Sequence, residues 1–198
     1  MVLFLTLFLW GVLGLWEKGE RRFLFALLVA ASGMILTKET YVLHIGSFFL
    51  AGLVLWLWQK LLPSHPKLPL ARQHWTWKDL TTGAAIALFA IVFFYSGTFL
   101  DFHALSGLYE TFAAWFHTGV EAAGHEKKIY QIGPFNYYWV ALMARYEWPA
   151  LLGLGLCLRY IAPSDARLRY LAVYGCGVLV AYSLIPYKTP WCIISILW

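Results

Sequence analysis

Three residues, His117, Glu121 and His125, stand four apart in "HTGVEAAGH". On a helix that spacing puts them along one stripe. Imidazole and carboxylate on one stripe can ligate a divalent metal; a solvated polar face gives the same pattern, and Gly124 weakens a helical ladder at His125. Lys188 sits between Pro186 and Pro190 in "YSLIPYKTPWCII". Each proline fixes φ and removes a backbone donor, so the lysine stands in a stiffened notch between apolar runs. A cation held there suits an anionic lipid head group; snorkelling of a lysine at a membrane boundary is the other reading. Lys38 and Glu39 form a similar charged step in "LTKETYVLHI". Glu147 lies about a dozen residues into the apolar run that opens at Phe135. A carboxylate inside a membrane costs a few kcal/mol unless it meets a partner or a wet cavity, so Glu147 belongs to a polar site or a structural ion pair. Tyr137 and Tyr138 stand where that run begins, as interfacial aromatics or as substrate contacts.

The elements that carry these residues are strongly apolar. Of 198 residues, 61% are apolar and only 13% charged, with a mean hydropathy of +0.66. Soluble domains have about 45–50% apolar and about 25% charged residues. The composition predicts an all-α integral membrane protein. The formal charge of +5 comes from basic residues in short loops between apolar runs. Membrane topology accounts for them, and nucleic acid is excluded as a partner. Cys157, Cys176 and Cys192 match no metal or redox spacing and read as small apolar packing residues.

Apolar runs at 2–16, 23–36, 41–58, 80–100, 135–162 and 170–185 predict about six transmembrane helices in a single multi-span domain, residues 1–198, with 23–58 read as two short spans joined at Lys38–Glu39 or else as one long tilted helix with a buried Lys–Glu step. A seventh run, cut short, ends the chain. The abrupt ends read as those of a fragment of a longer protein. Residues 101–134 form a polar insertion. Leu105, Leu108, Phe112, Trp115, Phe116 and Val120 share one helical face there, which predicts an amphipathic helix lying in the membrane interface. With alternating spans, Lys18, Arg21, Arg22, Lys60, Lys67, Arg72, Lys78, Arg159, Arg167 and Arg169 share one side. Lys38, Lys127, Lys128 and Lys188 take the other. This bias makes the first side cytoplasmic, and it turns the insertion and every candidate site residue to the extracytoplasmic side of the cell membrane.

Three stretches, "LTKETYVLHI", "GHEKK…FNYYWVALMARYEWP" and "YSLIPYKTPW", together resemble the flippase-activity-associated membrane proteins. That family is related to the dolichyl-phosphate-mannose–protein mannosyltransferases, of the C-type glycosyltransferase fold. The resemblance implies a site at the membrane rim where a polyprenyl-phosphate-linked sugar meets a glycan or protein acceptor. It implies that Lys38, His125 and Lys188 lie at the lipid-linked phosphate, and it matches Glu147 to the glutamate after the family's paired tyrosines. About four extra residues separate His125 from the tyrosines here. The family's catalytic acid sits in a first large outward loop, and no such loop precedes Lys38. The expected function is therefore part of a polyprenyl-phosphate-sugar-dependent glycosyltransferase, a hexosyltransferase if a further N-terminal region supplies the acid. The alternative is a non-catalytic flippase, or flippase accessory, that handles lipid-linked sugars. No cofactor is implied beyond the divalent metal that the histidine stripe could hold.

Overall fold

The computed structural model describes residues 1–37, 40–63, 66–67, 70–120, 138–161 and 164–184, with side chains except at 115–120, 138–140 and 160–161. Among the described residues the chain is all-helical, without strands. It forms two compact units, Met1–Tyr41 with Leu68–Ala114, and Val42–Lys67 with Trp115–Trp198.

In the first unit, α1 (Val2–Glu17) and α2 (Arg21–Thr37) make a helical hairpin, and α4 (Trp77–Tyr95) packs on α2. Glycines set these distances. A Cβ on Gly14 would stand 2.1 Å from the Phe23 ring, and one on Gly83 would stand 2.5 Å from the Leu28 side chain. Small residues at such crossings let helices pack closely. The hairpin turns at Gly19, whose φ of 65° lies in the left-handed region. The Gly19 carbonyl accepts from the His74 N–H, and the Trp16 carbonyl from the Ala71 N–H, at 2.8 Å each. These bonds tie the segment before α4 to the α1–α2 turn. A capping box then starts α4. Thr76 Oγ1 accepts from the Asp79 N–H, and the Asp79 carboxylate accepts from the Thr76 N–H. A 3₁₀ turn (Phe102–Ser106) leads into α5 (Gly107–Val120).

The second unit holds α3 (Tyr41–Leu61, all but its first residue), α6 (Tyr138–Tyr146), α7 (Trp148–Leu156), a π-helical turn (Cys157–Ile161) and α8 (Ala166–Leu184). His44, Ser47, Phe48, Ala51 and Leu55 form the buried stripe of α3, at helical spacing.

The expectation of about six spans and a truncated seventh is corrected here. Among the described residues only α3 and α4 are long and apolar enough to cross a membrane. Within the described residues, α1 and α2 run to 16 and 17 residues, and neither is among the helices of spanning length. The run from Phe135 to Ala162 does not make one helix. Pro149 lacks the N–H that would continue the ladder, and α6 and α7 are separate helices of nine residues each. With 19 residues α8 is long enough, but Arg167, Arg169, Tyr170, Tyr174, Tyr182 and Ser183 dilute its apolar character. The truncated last run lies outside the described residues. In the insertion, Gly107–Val120 is helical, with Leu108 and Phe112 half-buried and Glu110 exposed. With only two helices of spanning length, alternation across six spans no longer assigns this helix to an outward interface.

The two long helices are bare on their outer sides. On α4 only Gly83 is buried, while Ile86, Leu88, Phe89 and Phe94 are each more than half exposed. On α3, Phe49, Leu53, Trp56 and Leu61 are likewise more than half exposed. Apolar surface of this extent marks an interaction face, and two helices of spanning length that carry it point to membrane association.

Candidate functional site

Most of the residues expected to do chemistry lie outside the described residues: Lys38, Glu39, Glu121, His125, Tyr137 and Lys188. His117 falls in α5 and Tyr138 opens α6, with their side chains undescribed. Glu147 is described. It stands at the break between α6 and α7, exposed, and its carbonyl accepts from the Ala150 N–H at 2.9 Å. Arg145, two residues earlier, lies with its guanidinium 5.4 Å from the Tyr146 ring centre. Among the described residues no group of three or more His, Cys, Asp or Glu side chains could hold a metal.

The polar cluster that the described residues do assemble lies inside the second unit. His44, in the first turn of α3, is fully buried. Its Nδ1 and the Tyr174 hydroxyl are hydrogen-bonded at 2.8 Å, with the donor set by the imidazole tautomer. Tyr182 lies edge-on to His44 with ring centres 6.0 Å apart. Phe48, one turn further along α3, stacks on Tyr174 at 4.1 Å with planes 5° apart. The Tyr170 hydroxyl donates to the Phe48 carbonyl at 3.2 Å. Ser47 faces Gly177, where a Cβ would come within 3.4 Å of the serine side chain.

The two helices run antiparallel. His44 at the start of α3 meets Tyr174 in the middle of α8 and Tyr182 near its end. At the other end, the Arg169 guanidinium lies 5.1 Å from the Trp58 ring centre, and its Nη1 donates to the Pro66 carbonyl at 3.5 Å. Asp165 starts α8. Its Oδ1 accepts from the Arg167 N–H at 2.8 Å and from the Leu168 N–H at 3.5 Å. Partial burial works against its charge, but these bonds and the Arg167 guanidinium prevail and hold the carboxyl below the usual range.

No protein-family model matches this chain, and neither a curated protein nor a solved structure is similar to it.

The His44–Tyr174 pair is the functional candidate that sequence reasoning passed over. Two signals were present. A single histidine interrupts the apolar run Tyr41–Trp58, which is unusual in a spanning helix. Tyr170 and Tyr174 stand at i and i+4 on one face of α8, and Tyr182, eight residues beyond Tyr174, lies about 80° further round.

Proposed function

We propose that this protein binds a polyprenyl-phosphate-linked sugar at the extracytoplasmic rim of the cell membrane, as part of a glycosyltransferase that passes the sugar to a glycan or protein acceptor. The observation that carries the reading is the buried His44–Tyr174–Tyr182 cluster at the end of the second unit where α3 begins and α8 finishes. Lys188 follows Leu184, the last residue of α8, by four positions in the sequence, and Lys38 precedes Tyr41 by three. A phosphate needs cations, and the sequence sets a lysine just beyond each of these two helix ends. The bare apolar flank of α3 supports the lipid part of the ligand.

The test is binding and transfer in nanodiscs. A radiolabelled polyprenyl-phosphate hexose is expected to bind the wild-type protein, and Lys188→Ala is expected to weaken binding about tenfold, the loss of one charge-assisted contact. Unchanged binding by Lys188→Ala and Lys38→Ala would return both lysines to snorkelling. Binding without transfer to any acceptor assigns the chain to lipid-linked-sugar handling, as a flippase or its accessory.

A further inference from the structure

The first unit contains an open cleft of about 540 Å³, lined by Phe4, Gly33, Leu36, Thr37, Phe94 and Tyr95. Ligand-sized pockets hold about 300–1,000 Å³. The start of α1 and the ends of α2 and α4 form it. Gly33 is what lets Phe4 wall it: a Cβ there would stand 2.2 Å from the Phe4 ring. The Thr37 hydroxyl is already used, donating to the Gly33 and Met34 carbonyls at 2.8 and 3.1 Å. The cleft therefore offers an apolar ligand good walls and asks little of a polar one.

We infer that this cleft holds one acyl chain of a bilayer phospholipid. What identifies the occupant is the wall made by Phe94. That side chain is 65% exposed and belongs to α4, the helix with the barest apolar flank. Its ring meets Phe93 edge-on at 5.3 Å, and Phe93 in turn contacts Phe89 and Phe99. The cleft is thus continuous with the aromatic side of a helix of spanning length, and a chain entering it would leave hydrocarbon only to meet more apolar surface. This inference rests on the membrane reading of α4 and not on sugar-phosphate binding.

The test uses the full chain in nanodiscs of phosphatidylcholine that carries a diazirine at the end of one acyl chain. Photolysis is expected to label Phe4, Leu36 and Phe94. Leu36→Trp, which fills the cleft from its rim, is expected to cut labelling at Phe4 about tenfold. Labelling along Ile86 and Phe89 should persist, with helical content unchanged by circular dichroism. Gly33→Ser, a smaller intrusion, should give an intermediate loss. Labelling confined to the outer side of α4, or unaffected at Phe4 by Leu36→Trp, would overturn the inference. So would stoichiometric displacement of the label by a polyprenyl phosphate, which would give the cleft to a different lipid. Failure of sugar-phosphate binding in the preceding experiment leaves this labelling pattern as expected, so the two ideas fail separately.

Discussion

His44 and Tyr174 share a buried hydrogen bond of 2.8 Å that joins the first turn of α3 to the middle of α8. Phe48 stacks on the same tyrosine one helical turn away, so a polar and an aromatic contact converge on one side chain. Tyr174→Phe keeps the stack and deletes the hydroxyl. A buried imidazole that loses its partner costs about 1–3 kcal/mol, and measured bonds between membrane helices fall at the low end, around 0.6–1.7 kcal/mol. The expected loss is roughly 1–2 kcal/mol in unfolding from micelles. A double-mutant cycle with His44→Phe should recover most of it as coupling. Additive effects of the two substitutions would remove the pair as the link between these helices.

Gly19 is the hinge of the first unit. Its φ of 65° disfavours a side chain, and a Cβ would stand 2.3 Å from the Arg72 carbonyl oxygen. Gly19→Ala therefore strains the turn and pushes away the segment whose His74 N–H donates to the Gly19 carbonyl. A loss of about 1–2 kcal/mol is expected, more than the usual gain from reducing the freedom of the unfolded chain. Thermal unfolding of Gly19→Ala beside a control Gly46→Ala, where a Cβ meets open space, measures it. Equal Tm values for the two variants would show that the turn tolerates the added Cβ.

Asp165 supplies a pH dependence. Its carboxyl is held below its ordinary range in the folded chain because backbone N–H bonds and Arg167 outweigh partial burial. A carboxylate with a lowered folded pKa contributes stability that is complete above its unfolded pKa. That contribution disappears as pH falls through the folded value. Acid should therefore loosen the start of α8 below about pH 4. Asp165→Asn keeps an acceptor for the Arg167 and Leu168 N–H groups and removes the titration. Its unfolding midpoint should vary less with pH between about 5 and 2 than that of the wild type; parallel curves would locate the acid sensitivity elsewhere.

Helical class was legible from hydropathy, and so were α3 and α4 as apolar runs, although His44 interrupts the first and the second, read over 80–100, is helical over Trp77–Tyr95. Helix ends were harder to read. Apolar residues continue past the point where Pro149 stops the backbone ladder, so the run from Phe135 looks like one helix in composition and is two in geometry. The α1–α2 hairpin, turned at Gly19, was legible as two apolar runs joined by a charged turn. Charged residues drew attention to Lys38, Lys188 and the stripe of His117, Glu121 and His125. Those charged residues lie outside the described side chains, and among the described ones the cluster that packing assembles is His44 with the α8 tyrosines. Their significance depends on which faces two distant segments turn toward each other, and spacing within one segment shows only half of that.

The bare side of α4 gives the most direct test of membrane association. Ile86 is at the centre of this helix of 19 residues and is 53% exposed. In a bilayer, replacing isoleucine by arginine at a helix centre raises the apparent insertion cost by about 3–4 kcal/mol. In water the same change at an exposed position costs within about 0.5 kcal/mol. An insertion assay that reports translocated against integrated α4 by glycosylation of flanking tags separates the cases. Ile86→Arg should shift most molecules out of the integrated form, and Ile86→Leu should leave them there. Gly83→Arg would fail in either solvent, because its Cβ already meets Leu28 and Phe25, so only the exposed position discriminates. Should Ile86→Arg express as a folded, water-soluble chain alongside an equally soluble wild type, the apolar flank of α4 is an interface for protein and not for lipid, and the lipid-linked substrate goes with it.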